Sequence, residues 1–530
     1  MDVVLSPHIA RLFSNLPDTL SAAEEEAPSS PSEDTISVHP LTKKAGVWYE
    51  KVRNLLDYGE EHTLRRRALE RILKRRLTFG ETRDFGVAFL QELVSAGYLP
   101  NNRVSPELGE EVETLVQKFL VLGEAVQRTK GVNTSYFKKH FVSLAATELH
   151  DLFYPEPADE LVLEAFYETI REHVQYPKDV SREQGDVFTY IGCRRTLLKN
   201  SDAEIVYALW LKELPEWMSA TPDTVAHLPE RAVPALQRIG KFLKHPLSWQ
   251  ATVKLKNHGL YFHFVREIVN NYGVAAQSIF NNEENFNGMV EKSLRQKYEF
   301  ENDQIKKSGV RAVTYIFFTK IVLAFALELP YDRFYVKKVD YLALGINVVF
   351  HPLLLYFMTR SAGTLGEDNT KRVIEGVQQV VYRQDIEPVR VKPRRSGATV
   401  LEVIFLFFYT ALFAVSFGAI VTVLKLLHFN IVSMGLFIFF LTLVSYFGWR
   451  VRYNARRWKV EVKSDSTWAL LAHLFTFPIV RAGRWLSRRF SSINVVILFM
   501  DFVLETPFKA LLSGFDAFLS FIKDKQEEIY

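Results

Sequence analysis

The chain has a single cysteine, Cys193, in 530 residues. That excludes an intrachain disulfide and any zinc site built on several thiolates, and it fits a reducing compartment. Missing too are the motifs that carry common chemistry: no P-loop, no GxGxxG, no GxSxG, no kinase set and no HExxH. Histidine and carboxylate meet at Glu148/His150 and Glu172/His173, but residues one or two apart project from different faces of a helix, so no metal set is expected. No cofactor is expected and no residue takes a catalytic role, which points away from an enzyme. Alternating β patterns are scarce. The first residues, MDVVLSPHIARLF, lack a basic stretch and a long apolar core, so no cleavable signal peptide is expected.

What the sequence does have is apolar mass, unevenly placed. Apolar residues make up 48% and phenylalanine alone contributes 41 positions. Up to Arg311 the chain holds 39 Lys and Arg against 44 Asp and Glu; from Ala312 onward it holds 26 against 17. A weakly acidic half is thus joined to a basic, apolar one. At this length two or more domains are expected.

Residues 1–46 contain SAAEEEAPSSPSEDT and few aromatics, and are read as a disordered acidic tail, because such a stretch buries too little apolar surface to offset its ordering entropy. From residue 47 to 311 apolar residues recur at intervals of three and four, interrupted by Pro100, Gly131, Pro155, Pro157, Pro177, Pro215, Pro222 and Pro246. This predicts a large all-α cytosolic region. Its basic helix LRRRALERILKRRL (64–77) also sits among Glu60, Glu61 and Glu70, and its aromatics are not interleaved with the basic residues. It reads as a solvated face or a lipid contact, and nucleic acid is not expected as a partner.

The second half offers four candidate membrane spans, grouped as two hairpins. The first, 312–358, holds spans 312–329 and 341–358; the second, 399–448, holds spans 399–424 and 431–448. Each matches the roughly 17–25 residues needed to cross about 30 Å of hydrocarbon. Between the hairpins lies a basic cytosolic linker, 359–398, with one short helix near 370–383. The basic residues concentrate before span one, in the linker and after span four, apart from Arg333, Lys337 and Lys338 in the first hairpin loop. This places both termini in the cytoplasm and the protein in the inner (plasma) membrane. The final stretch, 449–530, is basic and amphipathic. Segments 466–480 and 491–514 either cross or lie on the membrane. Because Arg481, Arg484, Arg488 and Arg489 fall between them, interfacial helices on the inner leaflet are favoured. Arg450, Arg452, Arg456 and Arg457 join those four as candidate lipid-facing residues, with anionic inner-leaflet lipid as partner.

One cation interrupts the first span. Lys320 stands in FFTKIVLAFALELP (317–330), and a lysine at the centre of a membrane helix costs roughly 2.5–3.5 kcal/mol on insertion scales. Lys320, Ala324 and Glu328 share a stripe. At 1.5 Å per residue the two charged groups are about 12 Å apart along the axis, so no direct ion pair is expected between them. Asn347 and His351 share one face of span two, with Pro352 loosening the helix there. Lys320, Glu328, Asn347 and His351 therefore form a candidate intramembrane polar site. It serves either an ion or small solute, or simply the packing of the helices.

The stretch FFTKIVLAFALELPYDRF (317–334) followed by YLALGINVVFHPLLL (341–355) resembles a segment that recurs in uncharacterised bacterial multi-span membrane proteins. FLSFIKDKQEEI (518–529) is similar in the same way. The resemblance implies that Lys320, Glu328 and Asn347 belong to a recurring membrane hairpin, and it implies no substrate. Two functions stay open: a membrane-tethered helical scaffold that binds a cytosolic protein partner or a second copy of itself, and a transporter or channel component built around Lys320.

Overall fold

The computed structural model describes residues 4–26, 35–54, 61–79, 85–360, 366–383, 385–392, 399–455, 457–460 and 467–492. They are helical almost throughout. The only sheet among them is one parallel pair of two-residue strands, Val174–Gln175 and Val389–Arg390. The chain divides into two units, which split at Asn281/Asn282; the first also takes Gln378–Pro393.

The first unit corrects the expectation of a disordered tail over 1–46. Pro7–Glu26 is a helix, and Ile9, Leu12, Phe13 and Leu16 on its inner stripe are all buried. Ile36 and Val38 are buried as well, and a second helix begins at Pro40. Acidic residues give this stretch its disordered composition, but four apolar side chains at helical spacing supply the burial that ordering requires. The core of the unit is aromatic. Phe119 packs against Trp217 with ring centroids 4.8 Å apart, and Trp210 lies 4.7 Å from the same indole. Phe166 and Phe262 stack at 4.6 Å. A buried ion pair is set into this core. Lys118 donates to Glu148 at 3.1 Å, and the Trp217 indole donates to the other oxygen of Glu148 at 2.7 Å. Both charges are thus hydrogen-bonded where little water reaches them.

The basic linker is corrected too. Its helix is Glu367–Gln378, continued by a π-helical turn over Gln379–Arg383. From Gln378 the chain belongs to the first unit, where Val380, Val381, Ile386, Val389 and Val391 are buried. The Ser6 amide donates to the Val381 carbonyl at 2.8 Å, and the Tyr382 hydroxyl donates to the Phe280 carbonyl at 2.9 Å.

In the second unit the boundary expected at Arg311 falls inside one continuous helix, Glu283–Leu323. This helix starts on an Asn282 cap and continues through a π-helical turn at Ala324–Glu328. Among the described residues, four helices are long and apolar enough to cross a membrane: Glu283–Val336, Tyr341–Arg360, Leu406–Leu426 and Ile431–Tyr453. Segment 466–480 and the arginines that follow it lie in a single helix, Thr467–Ser492. It packs along Ile431–Ala455, and Gly483 makes the close approach possible, because a Cβ there would collide with the Thr442 carbonyl oxygen. Residues 493–530, and with them most of segment 491–514, lie outside the described residues.

Candidate functional site

The second unit brings all four polar residues of the first hairpin together. The Lys320 ammonium donates to Asn347 Oδ1 at 2.7 Å, and Asn347 Nδ2 donates to Glu328 Oε1 at 2.6 Å. The amide therefore bridges cation to anion. The Ser433 hydroxyl donates to the second Glu328 oxygen at 3.0 Å, and Lys320 also sits 4.3 Å from the centre of the Phe440 ring. His351 is held between two backbone carbonyls, Phe437 at 2.9 Å and Asn347 at 3.2 Å. A neutral imidazole donates once, and the shorter contact places that proton on Nε2. Lys320, Glu328, Asn347 and His351 are each at most 1% exposed. Ser433 and Phe437, both on Ile431–Ala455, are parts of this cluster that sequence reading missed. A lone serine in an apolar run gives no signal of its own.

The candidate lipid-facing arginines do not act alike. Arg452 donates to the Met358 carbonyl at 3.1 Å, and Arg457 pairs with Glu301. Arg450 is half-buried, and Arg456 lies outside the described residues. Arg481, Arg484, Arg488 and Arg489 are exposed.

A second cluster lies in the first unit, and sequence reading did not find it. A cleft of about 1230 Å³ is walled by the end of the Thr134–Phe153 helix, the start of Pro157–Arg171, and residues from Arg182–Cys193, Asp202–Glu213 and Lys256–Tyr272. Arg266 holds Asp159 through two nitrogens, one at 2.6 Å, and Asn270 adds a bond at 2.7 Å. Burial pushes the Asp159 carboxyl up, but Arg266 outweighs it and holds the group below its ordinary value. Beside it, burial and the hydrogen bond to Asp159 push Glu156 up to about 7. Arg194 forks onto Glu160 at 2.6 and 3.1 Å and donates to the Tyr190 hydroxyl at 2.8 Å. It opens a π-helical turn, Arg194–Leu198, which closes on Lys199 at positive φ. Burial, with Arg194 adding to it, depresses Lys212, which stands 3.5 Å over the Tyr190 ring. His150, also on the cleft wall, is 6% exposed and keeps a buried Nε2 with no hydrogen-bond partner among the described residues. These residues come from five separate stretches between 150 and 270, so no local motif announces them.

The class of molecule is now defined: an all-helical chain with a helical unit bearing a cleft into which several charged side chains reach, and a second unit whose four long apolar helices suit a membrane. No family model matches the chain, and neither a curated protein nor a solved structure matches it.

Proposed function

We propose that the chain is a multi-pass protein of the inner (plasma) membrane with both ends cytoplasmic. In this reading the first unit is a cytosolic scaffold that binds a protein partner. The observation that supports it best is the closure of the Lys320 network. A solute path needs polar groups with valences left for the passenger. Here the amide bridges both charges, the carboxylate accepts twice, and the imidazole donates its one proton to the Phe437 carbonyl. Neither cavity described above or below includes any of these residues. Membrane polar groups arranged in this way hold helices together. The open charged groups lie in the cleft of the first unit, where Lys212 and Glu156 offer contacts to a partner.

Two measurements on the full-length chain test this. Affinity purification is expected to recover a stoichiometric partner that is lost on Lys212→Glu and retained on Leu323→Ala. Reconstitution into proteoliposomes is expected to give no solute flux above that of empty vesicles. Flux that disappears in Lys320→Ala and persists in Leu323→Ala would replace the scaffold by a transporter.

A further inference from the structure

The helix Thr467–Ser492 carries Arg481, Arg484 and Arg488 at intervals of three and four, which sets them on one stripe. All three are exposed. With Trp449, Phe477 and Trp485 they line a groove of about 650 Å³ within the second unit. Arg481 lies 4.8 Å over the Tyr409 ring and 6.0 Å from that of Phe477. Arg484 and Arg488 have no hydrogen bond or ion pair among the described residues.

The direction of this helix gives the stripe its meaning. Gly483 meets Thr442, while Thr476 shares the groove with Trp449. Rising numbers on one helix therefore face falling numbers on the other, and the two run antiparallel. At 1.5 Å per residue, Arg488 lies about 18 Å along the axis from Thr476. The arginines accordingly follow the apolar length of Ile431–Ala455 instead of gathering at its basic end. Guanidinium groups beside hydrocarbon demand an anion. Among the described residues none is supplied: no carboxylate lines the groove. A second copy docked by this face would bring only the same arginines.

We propose that the groove is a binding site for an anionic phospholipid. Arg481, Arg484 and Arg488 hold the phosphate, for which the planar guanidinium fork is suited. The Trp485 indole sits at the junction of headgroup and chain, and Phe477 and Trp449, toward the other end of the groove, border the chain. This inference rests on the membrane reading given above.

The test uses the full-length protein in a neutral detergent, titrated with short-chain phosphatidylglycerol and followed by native mass spectrometry. Phosphatidylcholine of the same chain length and inorganic phosphate serve as competitors. Phosphatidylglycerol is expected to bind, and the triple change Arg481→Gln, Arg484→Gln and Arg488→Gln to weaken it at least ten-fold. Neither competitor is expected to displace it. Unchanged binding in the triple variant overturns the proposal. So does displacement by inorganic phosphate, which would make this a site for free anions, or equal binding of phosphatidylcholine. If the triple variant aggregates, Arg484→Gln and Arg488→Gln are read singly, since neither side chain has a hydrogen-bond or ion-pair partner to lose among the described residues; wild-type affinity in both overturns the site. Alkaline extraction separates the two readings. Release of the wild-type chain from membranes removes the membrane reading itself. Retention of the chain, together with unaltered lipid binding in the variants, removes this inference alone.

Discussion

Asn347 stands between a cation and an anion that share one helix, and much of the local energetics passes through it. Its amide is the single side chain that accepts from Lys320 and donates to Glu328. Asn347→Leu keeps the volume and removes both bonds, leaving two buried charges each short of a partner. We expect a loss of roughly 3 kcal/mol, since unmet hydrogen bonds to buried charged groups cost more than neutral ones. Thermal unfolding in detergent measures it. The combined change Lys320→Met, Glu328→Gln, Asn347→Leu is expected to recover most of that loss, because it removes the charges along with the bridge. In the first unit Glu156 gives a prediction of opposite chemistry. Its carboxyl titrates near 7 in the folded chain and near 4.5 when free. Between those values the folded state holds a proton that the unfolded state has lost, so stability falls as pH rises through this window. Asp159, held below its ordinary value, acts in the other direction and only under more acid conditions. The melting temperature is therefore expected to decline from about pH 5 to pH 7.5, and Glu156→Gln to flatten that decline. An unchanged slope in the variant would assign the pH response to other groups.

At the scale of elements, close packing depends on a few small residues. Gly483 allows Thr467–Ser492 to touch the Thr442 carbonyl. Gly483→Val forces the two helices apart, and a loss of about 1–3 kcal/mol is expected, as for other overpacked contacts. Crosslinking of a cysteine at Thr476 to one at Trp449, in a Cys193→Ser background, reports whether the helices still lie together. Most of these elements are legible in the sequence, because their apolar residues recur every three to four positions and their ends carry breakers. The exceptions have physical reasons. The helix at Pro7–Glu26 was hidden behind acidic composition, although Ile9, Leu12, Phe13 and Leu16 already had helical spacing. Pro246 reads as a breaker, yet it opens the helix Pro246–Lys254 at its first position, where its missing N–H is harmless. The π-helical turn at Ala324–Glu328 widens the helix just where Glu328 turns inward, and such turns have no sequence signature. The four polar residues of the first hairpin could be named from their place in apolar runs. The cleft residues could not, because their meeting depends on how separate helices pack.

At the scale of the whole molecule, the segment after the first two apolar helices constrains how the chain is threaded. Gln378–Pro393 belongs to the same unit as Met1–Asn281. Val389 and Arg390 pair with Val174 and Gln175, and Ser6 bonds to Val381. No sequence pattern indicates this return, since a strand two residues long has no periodicity to read. Its consequence is topological. If the first unit stays on one side of a membrane, both ends of the stretch 282–377 lie on that side, and its helices Glu283–Val336 and Tyr341–Arg360 cross as a pair or not at all. Crossing as a pair puts the connection near Tyr335, which is 80% exposed, on the opposite side from Met218, which is 70% exposed. Single cysteines at these two positions, placed in a Cys193→Ser background, test this with an impermeant thiol reagent on intact cells. Tyr335→Cys is expected to react from outside, and Met218→Cys only after permeabilisation. Reaction of both from the same side would mean that the pair does not cross, and the Lys320 network would then be the buried core of a hairpin lying on the membrane. The return itself is tested by Val380→Asp with Val381→Asp. These two buried valines sit far from residues 1–281 in sequence, and charging them is expected to expose the first unit to limited proteolysis while Thr399–Leu426 and Ile431–Ala455 remain protected.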